Sequence, residues 1–136
     1  MSSIEEYPWT KWKTFPNPVD YAISLRLVFR KILFNPCSPG VYQLRNKKTM
    51  RFTQKRKKNP YKFILFGEGK ILYDRMGSLL PRERGGVGSR NNKAKREYVW
   101  ENLKDIEYRV LCTDTKKEAV EIDKYLKSLD IHKYNT

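Results

Sequence analysis

The stretch PGVYQLRNKK, residues 39–48, carries one tyrosine, Tyr42, on a short apolar strand pattern that runs straight into positive charge. Farther along, Arg75 stands in GEGKILYDRMGSLL, and the last third of the chain holds a helical pattern dotted with carboxylates. These residue types suit one chemistry in particular. Hydrolysing a phosphodiester requires a group to orient or deprotonate water, a cation to neutralise charge building on the phosphate, and usually a metal to stabilise the leaving oxygen. A tyrosine, an arginine and a carboxylate supply those parts.

The charge of the chain agrees with such a substrate. A formal net charge of +14 on 136 residues, from 29 Lys+Arg against 15 Asp+Glu, exceeds what solubility requires and points to a polyanion, nucleic acid first. The charge is uneven: twelve basic and no acidic residues lie between Tyr21 and Gly67, whereas Glu101 to Thr136 holds seven basic and eight acidic ones. The lysines do not share one face of an amphipathic helix, which argues against a membrane surface as partner. The opening MSSIEEYPW is acidic and lacks the apolar core of a signal peptide, and no apolar run is long enough to span a bilayer, so a cytoplasmic location is expected. Cys37 and Cys112 are far apart in sequence, without metal-ligand spacing, and are expected to be reduced, buried thiols. With His132 as the only histidine, a zinc site is excluded. The glycine-rich PRERGGVGSRNN fits neither a phosphate-loop nor a dinucleotide pattern, although its Arg82, Arg84 and Arg90 would still reach a backbone phosphate.

The length suits one compact unit, made of an aromatic arm and helix over residues 1–38 and a main domain over 39–136. In the arm, Tyr7, Trp9, Trp12 and Phe15 either pin the segment to its own core or stack on bases or a partner. Asn17 as cap, Pro18 at the first helical position and Tyr21, Leu25, Val28 and Ile32 at helical spacing predict one helix, with Arg26 and Arg30 on a shared surface. GVYQLR and YKFILF read as paired antiparallel strands joined by the basic stretch. A short helix in GKILYDRMGSLL should turn Ile71, Leu72, Met76 and Leu79 inward and Arg75 elsewhere. KAKREYVWENLKD is helical and IEYRVLC is a third strand. Thr115 with Glu118 marks the start of a last helix whose stripe is Ala119, Ile122, Leu126 and Leu129.

Taken together, GVY at 40–42, a second strand ending in LFG at 65–67, and GEGKILYDR resemble the GIY-YIG nuclease family. Gly69, Leu72 and Arg75 fall at that family's spacing after Gly67, and IEYRVLC, KEAVEIDKYLKSL and KYN follow in its order. The resemblance covers roughly residues 39–135. It implies an α/β (α+β) domain with a small three-stranded antiparallel sheet flanked by helices, here with an N-terminal helical extension. It further implies a metal-dependent endonuclease in which Tyr42 lies near the attacking water, Arg75 holds the scissile phosphate and Asn135 supports the site. A carboxylate on the last helix would bind one Mg2+ or Mn2+. Alignment by the leucine three places on makes that carboxylate Asp123, and helical geometry sets it at the margin of the apolar stripe while Glu121 projects away. The second signature's tyrosine falls at Leu65, a histidine of many members falls at Leu79, and the two signatures stand farther apart than usual in the family.

The expected partner is DNA, double-stranded or branched, and two cuts in a duplex would suit a homodimer. Lys47, Lys48, Arg51, Lys55, Arg56, Lys57, Lys58 and Arg90 are the residues expected to grip the phosphate backbone without choosing sequence. The competing reading from another class is a catalytically inactive nucleic-acid-binding module on the same fold. Gly40 and Gly67 are read as positions where a side chain would obstruct the phosphate.

Overall fold

The branched and aromatic runs on either side of the basic stretch pair with each other, and the rest of the molecule is built on that pair. A computed structural model describes residues 4–21, 23–33, 39–48, 63–81, 93–129 and 131–134. Its strands are β1 (Lys13–Thr14), β2 (Gly40–Asn46), β3 (Phe63–Gly69), β4 (Ile106–Cys112) and β5 (His132–Tyr134), in the order β1-β4-β2-β3-β5. Neighbours among β1, β4, β2 and β3 pair antiparallel, and β5 joins β3 in parallel. The three expected strands therefore form the centre of an α+β sheet. The two short edge strands were not expected, because two or three residues carry no readable period.

Strand alternation sends Tyr42 and Leu44 to one face and Val41 to the other. The first face is covered by α2 (Leu25–Leu33), α3 (Leu72–Met76) and α4 (Lys93–Glu101), through Leu25, Phe29, Leu72, Met76 and Val99. The second is covered by α5 (Lys116–Leu129), whose Ala119, Ile122 and Leu126 are buried as its stripe predicted. Thr115 Oγ1 accepts from the Glu118 amide at 3.1 Å, so the expected cap is present.

Asn17 also caps as read, its Oδ1 accepting from the Val19 amide at 3.0 Å. The helix that follows is not continuous, however. It divides into a single turn, α1 (Pro18–Tyr21), and α2, because Ser24 restarts it. The Ser24 carbonyl accepts from Val28 at 3.0 Å while its hydroxyl accepts from Leu27 at 3.4 Å. Apolar spacing alone does not reveal a second cap inside a helical pattern.

The aromatic arm is pinned to its own sheet. Thr10 and Phe15 donate backbone bonds of 2.9 Å to Val110 and Ile106. Phe15 enters the core, and the Arg109 guanidinium lies 4.3 and 4.5 Å from the Trp9 and Trp12 rings. Arg109 is 3% exposed; it makes bidentate bonds to Glu5 at 2.8 and 3.0 Å and donates to Gln43 Oε1 at 2.7 Å. With their faces taken by cations of the same chain, these indoles are not a base-stacking platform.

Cys112 is exposed and disulfide-bonded, which corrects the expectation of reduced, buried thiols. The register explains why sequence distance misled: Cys112 pairs with Gly40, three residues after Cys37, the only other cysteine of the chain. Cys37 itself lies outside the described residues. Disulfides persist in oxidising compartments, so this one lends nothing to the cytoplasmic expectation. Among the described residues no helix is long and apolar enough to cross a membrane.

The polar chain from Glu5 through Arg109 and Gln43 ends at His132, which is fully buried. Gln43 Nε2 lies 2.9 Å from His132 Nε2; because Arg109 holds the amide oxygen, the amide nitrogen is the donor and the imidazole is neutral. Burial, and then Arg109, hold its pKa down to about 3. A base whose folded pKa is depressed stabilises the fold fully above its unfolded pKa and loses that contribution as pH falls toward the folded value. The window therefore runs from about pH 6.5 down to about 3. At pH 4.5 the parent should have lost about 2–3 kcal/mol from this group, and His132→Phe should show a correspondingly flatter pH dependence. Urea midpoints at pH 7.5 and 4.5 measure the difference; parallel profiles would contradict it.

Candidate active site

Tyr42 sits on β2 directly opposite Gly67 of β3, and the missing side chain at 67 is what its ring occupies. A Cβ on Gly67 would lie 2.5 Å from Tyr42 Cζ and 2.7 Å from Cε1. Two residues on, a Cβ on Gly69 would collide with the Arg75 side chain. Gly67 is thus needed for the packing of Tyr42, and Gly40 for the approach of the Leu111 carbonyl, 2.7 Å from where a Cβ would lie, which differs from the clearance for a phosphate expected of these two glycines; Gly69 makes room for Arg75.

Arg75 reaches this place because α3 begins directly after the two-residue turn, Lys70 and Ile71, that leaves β3. Its Nε donates to the Glu68 carbonyl at 3.1 Å, which holds the guanidinium along the strand end. Among the described residues its terminal nitrogens have no ion-pair or hydrogen-bond partner. Arg75 lines an open cleft of about 460 Å³ together with Glu68, Lys70, Asp74 and Lys116. Asp74 is engaged by Arg26, and Glu68 by Lys116. Arg26 thus pairs with Asp74 on a partly exposed surface, its side chain 40% exposed, and its guanidinium lies 5.7 Å from the Tyr73 ring.

Asp123 approaches from α5 and is half-buried, at the stripe margin as expected, while Glu121 is exposed. Its pKa is raised, chiefly by burial and then by Glu68, with Lys127, Arg75 and Lys116 opposing. Tyr42 feels the same neighbours. Burial pushes its hydroxyl well above the ordinary tyrosine value; Arg75 opposes this, and Asp123 and Glu68 add to it. Strand β2, helix α3 and helix α5 thus bring Tyr42, Arg75 and Asp123 into one electrostatic cluster.

The position of Tyr42 corrects one expectation. The residue is 3% exposed and belongs to the hydrophobic core, so it does not stand open to a phosphate. It supports the cluster from within the sheet and remains a neutral phenol. Leu65 and Leu79 are fully buried, and Tyr73 is half-buried. Ile71, expected inward, is 40% exposed.

Lys47 and Lys48 are exposed at the far end of β2 from Gly40. Arg51, Lys55, Arg56, Lys57, Lys58, Arg82, Arg84, Arg90, Tyr61 and Asn135 lie outside the described residues. Two cluster members escaped the sequence reading. Glu68 follows Gly67 without any motif of its own, and Lys95 shares a helix face with the core residue Val99, a signal no different from an ordinary surface lysine.

Among the described residues no group of three His, Cys, Asp or Glu side chains comes together to hold a metal ion. Asp123, half-buried and acted on by the Glu68 charge, is the carboxylate here that would hold a hard cation. Mg2+ is commonly held by one or two carboxylates, with water and substrate oxygens completing its shell.

No family model, curated protein or solved structure matches the chain.

The Tyr42–Gly67 contact is directly testable. Gly67→Ala should destabilise the fold by about 1–3 kcal/mol, the usual cost of overpacking a filled site. In a Tyr42→Ala background the same change should cost far less, because the obstructing ring is gone. Chemical denaturation of the four proteins measures the coupling, and additive costs would refute the contact.

Proposed function

We propose that the chain is a metal-dependent endonuclease that hydrolyses phosphodiester bonds of DNA on a GIY-YIG-like domain. The observation that carries this reading is that Tyr42, Arg75 and Asp123, supplied by three separate elements, act on one another electrostatically, with Arg75 lining a cleft beside Lys70 and Lys116. The strongly basic composition supplies the reason for a polyanionic substrate.

In this reading a water oxygen forms the new bond to phosphorus, the bond to a sugar oxygen breaks, and the displaced oxygen takes up a proton as the water loses one. Arg75 holds the phosphate through its terminal nitrogens, since its Nε is already committed to the Glu68 carbonyl. Asp123 holds the divalent cation, which when bound supplies charge stabilisation to the phosphate and leaving oxygen. Tyr42 does not deprotonate the water: a buried phenol with a raised pKa does not ionise near neutrality, and its part is to pack against Gly67 beneath the charged cluster.

A second reading has its own supporting observation. The burial of Tyr42, Leu65 and Leu79 fits a module that binds nucleic acid without cutting it. Incubating plasmid DNA with the purified chain and Mg2+ or Mn2+ separates the two. The nuclease reading expects nicking that falls at least about 100-fold in Arg75→Ala and in Asp123→Asn, with DNA binding retained. Binding without cleavage by the parent would select the module.

Both readings assign the basic stretch to the backbone. Neutralising Lys55, Arg56, Lys57 and Lys58 should lower the slope of log affinity against log salt by about 3 to 4. An unchanged slope would remove the stretch from the interface.

A further inference from the structure

The turn that carries the chain from β3 into α3 consists of Lys70 and Ile71, and both residues line the cleft that Arg75 lines. Five charged residues border this cleft: Glu68, Lys70, Asp74, Arg75 and Lys116. Each of its two carboxylates already has a cation, Lys116 for Glu68 and Arg26 for Asp74. Among the described residues Lys70 has no ion-pair or hydrogen-bond partner, and Arg75 commits only its Nε, to the neutral Glu68 carbonyl. The paired charges cancel at short range. What the cleft presents outward is therefore the positive charge of Lys70 and Arg75, which draws an anion into it.

The shape of the place favours an extended anion over a single ion. The cleft is open, its volume of about 460 Å³ lies in the range of sites that hold ligands much larger than one phosphate, and Lys70 is exposed. An exposed ammonium on a flexible stem acts as a point charge, suited to a backbone phosphate without the fixed angles that the arginine fork imposes. We propose that Lys70 is a second backbone-phosphate contact of this cleft, gripping a phosphate next to the one at Arg75 along the same nucleic-acid strand. This deepens the nuclease reading, from which it takes the phosphate at Arg75. A contact of this kind adds affinity without choosing sequence.

The test uses the full chain and a short labelled DNA duplex without divalent metal, titrated over a series of salt concentrations. Lys70→Gln should lower the slope of log affinity against log salt by about 1 and weaken binding about 3- to 10-fold near 0.1 M salt. Lys70→Arg should keep the parent's slope. Lys104→Gln removes an equal charge from a residue that is exposed but does not line the cleft, and it should leave the slope unchanged. All three variants should melt with the parent, since neither lysine is buried. A parent that does not bind the duplex, a Lys70→Gln protein with the parent's slope, or an equal loss in Lys104→Gln would overturn the assignment.

Plasmid nicking with Mg2+ in the same proteins separates the two levels. A parent that nicks, with the parent's slope kept in Lys70→Gln, leaves the nuclease reading standing and removes Lys70. A parent that does not nick, with the slope lowered in Lys70→Gln alone, removes the nuclease and keeps the phosphate contact.

Discussion

The placement of a tyrosine ring over a glycine on the adjacent strand organises this molecule. Because residue 67 has no Cβ, the Tyr42 ring crosses from β2 onto β3 and takes its hydroxyl toward the charges that α3 and α5 carry. The same register sets Gly40 against Gly69, and Gly69 gives Arg75 room to lie along the strand end. A one-residue slip would send Tyr42 to the opposite face and put side chains where these contacts now form. The contact therefore determines both the packing of the central sheet and the composition of the cluster beside it.

The other face of the sheet is held by different physics. There a buried guanidinium, Arg109, is satisfied by a carboxylate, an amide oxygen and two indole faces at once. All but one of these partners come from the N-terminal arm, so the arm is part of the fold even though it has almost no regular structure. This explains how a segment without apolar period can still be ordered: cation–π and charge-assisted bonds act over a few residues and need no repeat. The cationic cleft lies at the other end of the chain's chemistry, where positive charge is left in excess instead of neutralised.

Most of the central architecture was legible from pattern alone. The three main strands, the short helix bearing Arg75, the capped last helix with its buried stripe, and Asp123 at that stripe's margin follow from local periodicity and capping chemistry. What misread was long-range or fine-grained. The pairing of Gly40 with Cys112 brought the neighbourhoods of two distant cysteines together, and Ser24 broke a helix that apolar spacing made continuous. The edge strands were too short to announce themselves, and Tyr42 looked exposed because nothing local reveals that it fills the space above a glycine.

By itself the sequence determined the element types and the excess of positive charge, since these depend on spacing, capping and composition within short windows, while Tyr42, Arg75 and Asp123 became candidates only through a resemblance to known nucleases. Only the tertiary structure decided that Tyr42 is buried, that Arg26 is already paired, and that Glu68 and Lys95 join the cluster. The reason is that burial and charge coupling are properties of neighbours in space. For residues supplied by separate strands and helices, those neighbours exist only after the sheet has fixed its register.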